Sequence, residues 1–141
     1  MYKKTVTYTD YNDNERTEDF YFSFTKAELL DKQMGVAGGY AAVIDNIAKT
    51  KDLPAMIKIF KELVMEGYGV KSDDGRRFVK SEELTREFME TPAFSEIYMG
   101  LVTDDKAAAE FINKAFPSTL IAEIEKVKKE NPTVSNIPSK T

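Results

Sequence analysis

The densest run of reactive side chains in this chain is YGVKSDDGRRFVKS, Tyr68 to Ser81, where paired aspartates and paired arginines surround Gly75. Such a run suits two kinds of chemistry. Glycine lets backbone N–H groups approach a phosphate, and converging carboxylates hold a hard cation. Each needs a fixed spacing. A phosphate-binding P-loop encloses about four residues between its glycines and continues with Lys and Ser or Thr. Gly69 and Gly75 enclose five, and Arg76-Arg77 follow. In a calcium loop with Gly75 sixth, Val70 would stand first and Ser81 twelfth, where an aspartate and a bidentate glutamate belong. Neither register holds. Turn chemistry fits better: Val70-Lys71 and Phe78-Val79 read as short strands, and Ser72 to Gly75 as the turn between them, with Gly75 at positive φ. Arg76 and Arg77 then stand on an exposed ribbon as a candidate protein-contact patch.

The other candidates are equally plain. Asp104-Asp105 and Glu82-Glu83 fall where helices begin, and carboxylates in a first turn cap and complement the helix dipole. Gly35 to Gly39, GVAGG, reads as a hinge or helix break, because no strand precedes it to form an anion-binding loop. Tyr21 and Tyr40 have no identifiable catalytic partner. Histidine and cysteine are both absent, which removes the commonest general base, the commonest metal ligand, thiolate zinc sites and disulfides. No catalytic residue, cofactor site or metal ligand can be named, and the expectation is a non-enzymatic interaction domain. A net charge of -4 gives no global pull toward nucleic acid or anionic membrane. No apolar run approaches the roughly 20 residues of a membrane span, and the opening MYKKTVTYTD lacks a signal peptide's apolar segment. A cytoplasmic location is expected.

The elements around these residues follow from periodicity. Tyr2, Lys4, Val6 and Tyr8 alternate with Lys3, Thr5, Thr7 and Thr9, and Phe20, Phe22 and Phe24 alternate with Tyr21 and Ser23. Period two predicts a half-buried antiparallel hairpin turned at DYNDNE, whose Asn12, Asp13 and Asn14 tolerate left-handed backbone. Helices follow. Thr25 to Glu28 is a capping box, and Gly35 should end the helix it opens. Tyr40, Val43, Ile44 and Ile47 share one face, as do Ile57, Phe60, Leu63 and Val64 after the Asp52-Leu53-Pro54 start. Ser81 caps a helix with Leu84 and Phe88 inward. Beyond Thr91-Pro92, the residues Phe94, Ile97, Tyr98, Leu101 and Val102 make one apolar stripe, and Ala108, Phe111, Ile112, Ala115 and Phe116 another. Leu120, Ile121, Ile124 and Val127 face inward on a last helix. Met56, Met65, Met89 and Met99 are expected mostly to fill the core.

The reading is an α+β fold, mainly α, with an N-terminal antiparallel β-hairpin packed on about six to seven helices and a second short hairpin near 69–79. One domain should span 1–129: hairpin 1–24, first helical part 25–67, short hairpin 68–80 and second helical part 81–129. Residues 130–141 should form a flexible tail.

DFYFSFTKAEL, a helix pair, then YGVKSDDGRRFVKSEEL and FMETPAFSEIYMGLVTDDKAAAEFINKAFP resemble, in that order, the tail assembly chaperones of long-tailed (siphovirus-type) bacteriophages of Gram-positive bacteria. The resemblance covers about Tyr2 to Pro117. Asn14 stands where that pattern has glycine, and Gly100 where it has a larger or charged residue. Inside a helix Gly100 should cost about 1 kcal/mol relative to alanine unless close packing needs it.

The resemblance implies a non-virion factor of the host cytoplasm that binds and solubilises the tape measure protein and promotes polymerisation of the major tail tube protein around it. It also implies self-association into homo-oligomers and a longer, frameshifted form. Physically that role asks for exposed apolar or amphipathic surface. The candidates are the hairpin's outer face with Thr5, Thr7 and Tyr21, the hairpin's edges, and the Arg76-Arg77 ribbon. Two alternatives stay open: a small phage regulatory or inhibitor protein acting by protein–protein binding, and a nucleic-acid-binding helical domain. The second is disfavoured because every helix mixes charge signs within a turn.

Overall fold

The computed structural model describes residues 1–36 and 39–130. The chain begins with β1 (Tyr2–Thr9) and β2 (Glu15–Phe22), paired antiparallel from Tyr2↔Phe22 to Thr9↔Glu15. Asp10 makes the turn: its Oδ1 accepts the backbone N–H groups of Asn12 and Asn14, each at 2.9 Å. The left-handed residue is Asp13, at φ 63°, so Asn14 has no need to be glycine. Arg16 donates to Asp10 at 2.6 Å, which holds the Asp10 carboxyl below its ordinary range with help from the two backbone donors.

Helices α1 (Lys26–Met34), α2 (Tyr40–Thr50) and α3 (Leu53–Gly67) come next, then β3 (Tyr68–Lys71) and β4 (Phe78–Val79). Four more helices finish the described chain: α4 (Glu82–Met89), α5 (Pro92–Thr103), α6 (Asp105–Ala115) and α7 (Ser118–Glu130). The fold is α+β and mainly α. Its sheet runs β1-β2-β3-β4, antiparallel throughout. The two hairpins are therefore one sheet, joined where Tyr21 and Phe22 pair with Gly69 and Tyr68. The hairpin's edges are therefore less open than expected, since one end of the β2 edge is taken by β3.

Gly69 permits that junction. A Cβ there would lie 2.6 Å from the Phe78 ring, so only hydrogen lets β4 fold its aromatic across β3. The second strand also ends earlier than the Phe20–Phe24 alternation suggested. Past Phe22 the chain turns into the helical layer, with Ser23 N–H donating to Gly67 O at 2.9 Å and Phe24 N–H to Ala115 O at 2.8 Å. Phe24 stacks on Phe116 with ring centroids 4.3 Å apart.

The helix ends carry the predicted chemistry. Thr25 and Glu28 close a reciprocal capping box, Ser81 accepts from Leu84 N–H at 3.0 Å, and Gly35 caps the end of α1. Asp104 ends α5 and also caps α6, accepting from Lys106 N–H at 3.0 Å. The tail expected from residue 130 lies outside the described residues, apart from Glu130 at the end of α7. Of the GVAGG hinge, Ala37 and Gly38 lie outside them too, and Gly39 caps α2 at φ 88°.

The core sits between the sheet's inner face and the helices. Phe22, Phe111, Leu63, Leu120 and Val64 are its fully buried centre. Phe22 is ringed by Tyr2, Tyr68, Phe88 and Phe111 at centroid distances of 6.1, 6.1, 5.9 and 5.8 Å. Each such aromatic pair adds about 0.5–1.5 kcal/mol beyond the area it buries. Burial also pushes the Tyr2 and Tyr68 phenols up, with nearby carboxylates adding to the effect.

Some inward assignments fail. Ile57 is 37 % exposed, because α3 turns Phe60, Leu63, Val64 and Gly67 more fully to the core. Helix α2 buries Tyr40, Ala41 and Asp45, leaving Val43, Ile44 and Ile47 half-buried. Met56, Met65 and Met89 are half-buried, whereas Met99 is 50 % exposed. Gly100 is exposed, and a methyl group added to it would meet nothing within 4 Å, so no packing requires glycine there.

Candidate functional site

The sheet's outer face follows from register. Opposed residues share a face, so Lys3 lies beside Tyr21, Thr5 beside Asp19 and Thr7 beside Thr17. Thr5, Thr7 and Tyr21 are thus brought onto one surface, as the alternation required. Its polar groups largely satisfy one another. Thr5 donates to Asp19 at 2.6 Å, the Thr7 and Thr17 hydroxyls lie 2.9 Å apart, and Lys71 Nζ sits 4.7 Å from the Tyr21 ring centroid. The hydroxyl of Thr5 and the charge of Lys3 hold the Asp19 carboxyl below its ordinary range. Toward the hairpin's tip, the Tyr8 hydroxyl donates to Glu18, which pushes the Tyr8 phenol up to about 12.

Arg76 and Arg77 belong to a different place, the turn between β3 and β4. Asp74 Oδ1 accepts from the Ser72 hydroxyl at 2.7 Å and from Arg76 N–H at 3.0 Å, which lowers its pKa, and Gly75 takes φ 75°. The glycine-aspartate run is spent on building that turn. Both arginine side chains are exposed and, among the described residues, neither is in an ion pair. Asp105 pairs with Lys51 at 3.2 Å. Among the described residues no group of three or more His, Cys, Asp or Glu is placed to hold a metal ion, and no helix is long and apolar enough to cross a membrane.

A second surface escaped the sequence reading. A groove of about 340 Å³ opens between α2, α3, α6 and α7, walled by Ile44, Ile47, Met56, Ile59, Ala108 and Ile121. Asp45 also lines it and is only 4 % exposed. Its Oδ2 meets Lys49 at 2.9 Å, but Oδ1 has no partner among the described residues. The available signal was α2 itself, whose YAAVIDNIA is apolar on more than one stripe. A helix with two apolar sides has a second surface to cover. Exposed apolar residues also recur at helical spacing on α1, where Leu30 and Met34 are 55 % and 78 % exposed.

This arrangement suits protein contact: a cross-linked polar sheet face, a cationic turn and an apolar groove. No match was found among curated proteins or solved structures. A family model described as phage tail assembly chaperone matches residues 1–141. That match covers the sheet, every described helix and the groove alike, and the chain belongs to the phage tail assembly chaperone family.

Proposed function

We propose that this protein binds and solubilises the tape measure protein of a long-tailed phage of a Gram-positive host, and promotes polymerisation of the major tail tube protein around it. The observation that carries this reading is the family match over the whole chain. The protein acts without catalysis, through residues 1–129 as one domain, as a homo-oligomer in the host cytoplasm. It is absent from the mature virion, and a longer frameshifted form supplies the second partner contact. Thr5, Thr7 and Tyr21 on the sheet face and Arg76 and Arg77 on the turn are the contact residues for self-association and for the tube protein. Exposed Leu30 and Met34 support an adhesive role, since apolar side chains left in water at helical spacing suit a partner's apolar surface.

The test is co-expression with the tape measure protein of the same phage. The expected outcome is that the tape measure protein moves from the insoluble to the soluble fraction and co-purifies, while the chaperone alone forms concentration-dependent oligomers in light scattering. A strictly monomeric protein with no affinity for tape measure fragments would overturn the reading.

A further inference from the structure

We propose that the groove between α2, α3, α6 and α7 is the seat for an amphipathic helical segment of the tape measure protein, one that carries a lysine or arginine beside its apolar anchors. The inference rests on the chaperone reading and adds a place and a chemistry to it. Two independent observations point to an occupant of this kind.

The first is the wall. Ile44, Ile47, Met56, Ile59 and Ile121 are half-buried, and Ile44, Ile59 and Ile121 pack against the core while lining the groove. At about 340 Å³ the groove lies near the lower end of the range for ligand pockets, about 300–1,000 Å³. Its walls are themselves helices, and a partner helix entering such a groove presents apolar anchors at i, i+3, i+4 and i+7.

The second is Asp45. A carboxylate oxygen withdrawn from water without a donor is unfavourable, and a donor brought by a partner relieves that cost. Lys49 meets Oδ2, while Oδ1, in the same groove-lining residue, is buried with no hydrogen-bond partner among the described residues. A guanidinium or ammonium beside the anchors completes the pair, and charge-assisted bonds of this kind are about twice as strong as neutral ones. An all-apolar helix would fill the walls but leave Oδ1 without a donor, as it already is. The site therefore favours a helix that brings a cation over one that does not.

The experiment titrates the full chain with overlapping 20-residue peptides spanning the tape measure protein, by calorimetry. At least one peptide pairing apolar anchors with a Lys or Arg is expected to bind. Ala109→Trp and Ala48→Trp each introduce an indole into the groove from an exposed position on opposite walls, and each should weaken binding at least tenfold at an unchanged thermal midpoint. Replacing the peptide's cation with Met should weaken binding to the wild-type chain about tenfold, and to Asp45→Asn much less. Peptide binding that both tryptophan variants leave intact would overturn the groove assignment while the chaperone reading stands. So would tryptophan variants whose only effect is on self-association or on tube-protein binding, because the occupant would then be another copy or another partner. Failure of every peptide, together with failure of the full-length tape measure protein to co-purify, would overturn both.

Discussion

The sheet's outer face and the helical groove are two of the candidate contact surfaces of this protein, and they are built on opposite terms. On the sheet face, threonine meets aspartate, threonine meets threonine, and lysine lies over tyrosine. In the groove, apolar side chains remain half open and a buried carboxylate oxygen lacks a donor. A surface whose polar groups already satisfy one another gains little from being covered, because each new contact must displace an existing one. A surface with unmet hydrogen bonding and open apolar walls gains from almost any complementary occupant. The sheet face is the more nearly satisfied of the two, and the groove the more open to an occupant.

The largest way to break this contrast is to empty the side on which the sheet rests. Phe22→Ala should destabilise the protein by about 3–5 kcal/mol, whereas Ile59→Ala on the groove wall should cost no more than about 2 kcal/mol, both read from urea denaturation. Equal losses would mean that the groove wall is as closely packed as the core. A smaller effect, of opposite sign, is expected at Asp45. Asp45→Leu together with Lys49→Met replaces the buried pair and its unpaired oxygen with apolar side chains, and should raise stability by about 1 kcal/mol while weakening partner binding. Thermal unfolding beside a binding titration checks both halves, and a destabilised variant would show that the ion pair with Lys49 serves the fold.

Acid should act through the carboxylates around the sheet. Burial alone would raise the Glu28 carboxyl, but the Lys80 ammonium at 2.7 Å and the Thr25 N–H at 2.8 Å outweigh it and hold it below 4.5. A carboxyl lowered in the folded state contributes stability above its unfolded value, and that contribution is lost as pH falls through the lower folded value. The thermal midpoint of the wild-type chain should therefore fall more steeply than that of Glu28→Gln as pH drops below about 4.5. The smallest effect tests whether the sheet face is self-satisfied: in Thr5→Val, Asp19 should titrate closer to its ordinary value by NMR, with stability hardly changed. An unmoved Asp19 would detach it from Thr5.

What the sequence revealed and what it concealed divide along the same line. The hairpin, the capping box at Thr25, the Ser81 cap and the Gly75 turn were all readable, because each is written within a few consecutive residues. The turn reading of the Tyr68–Ser81 run holds, with Asp74 and Ser72 bonded inside it. The joining of β2 to β3 was not readable, since it pairs residues far apart and depends on Gly69 admitting the Phe78 ring. The groove was hidden for a related reason. Periodicity reports that a helix has an apolar side, but not which of two apolar sides its neighbours will cover. On α2 the covered side holds Asp45, which a stripe of Tyr40, Val43, Ile44 and Ile47 had left facing outward. Ile57 erred less, lying about a fifth of a turn from the centre of the buried face of α3.

The ring of aromatics around Phe22 also sets a timetable. Its members come from positions 2, 22, 68, 88 and 111, so the centre of the core is assembled from almost the full length of the described chain. Contacts so distant in sequence form late, after the entropy of closing long loops has been met. During synthesis the three phenylalanines at 20, 22 and 24 leave the ribosome well before Phe111 can cover them. This member of the phage tail assembly chaperone family thus passes through an interval in which its own nascent chain is exposed.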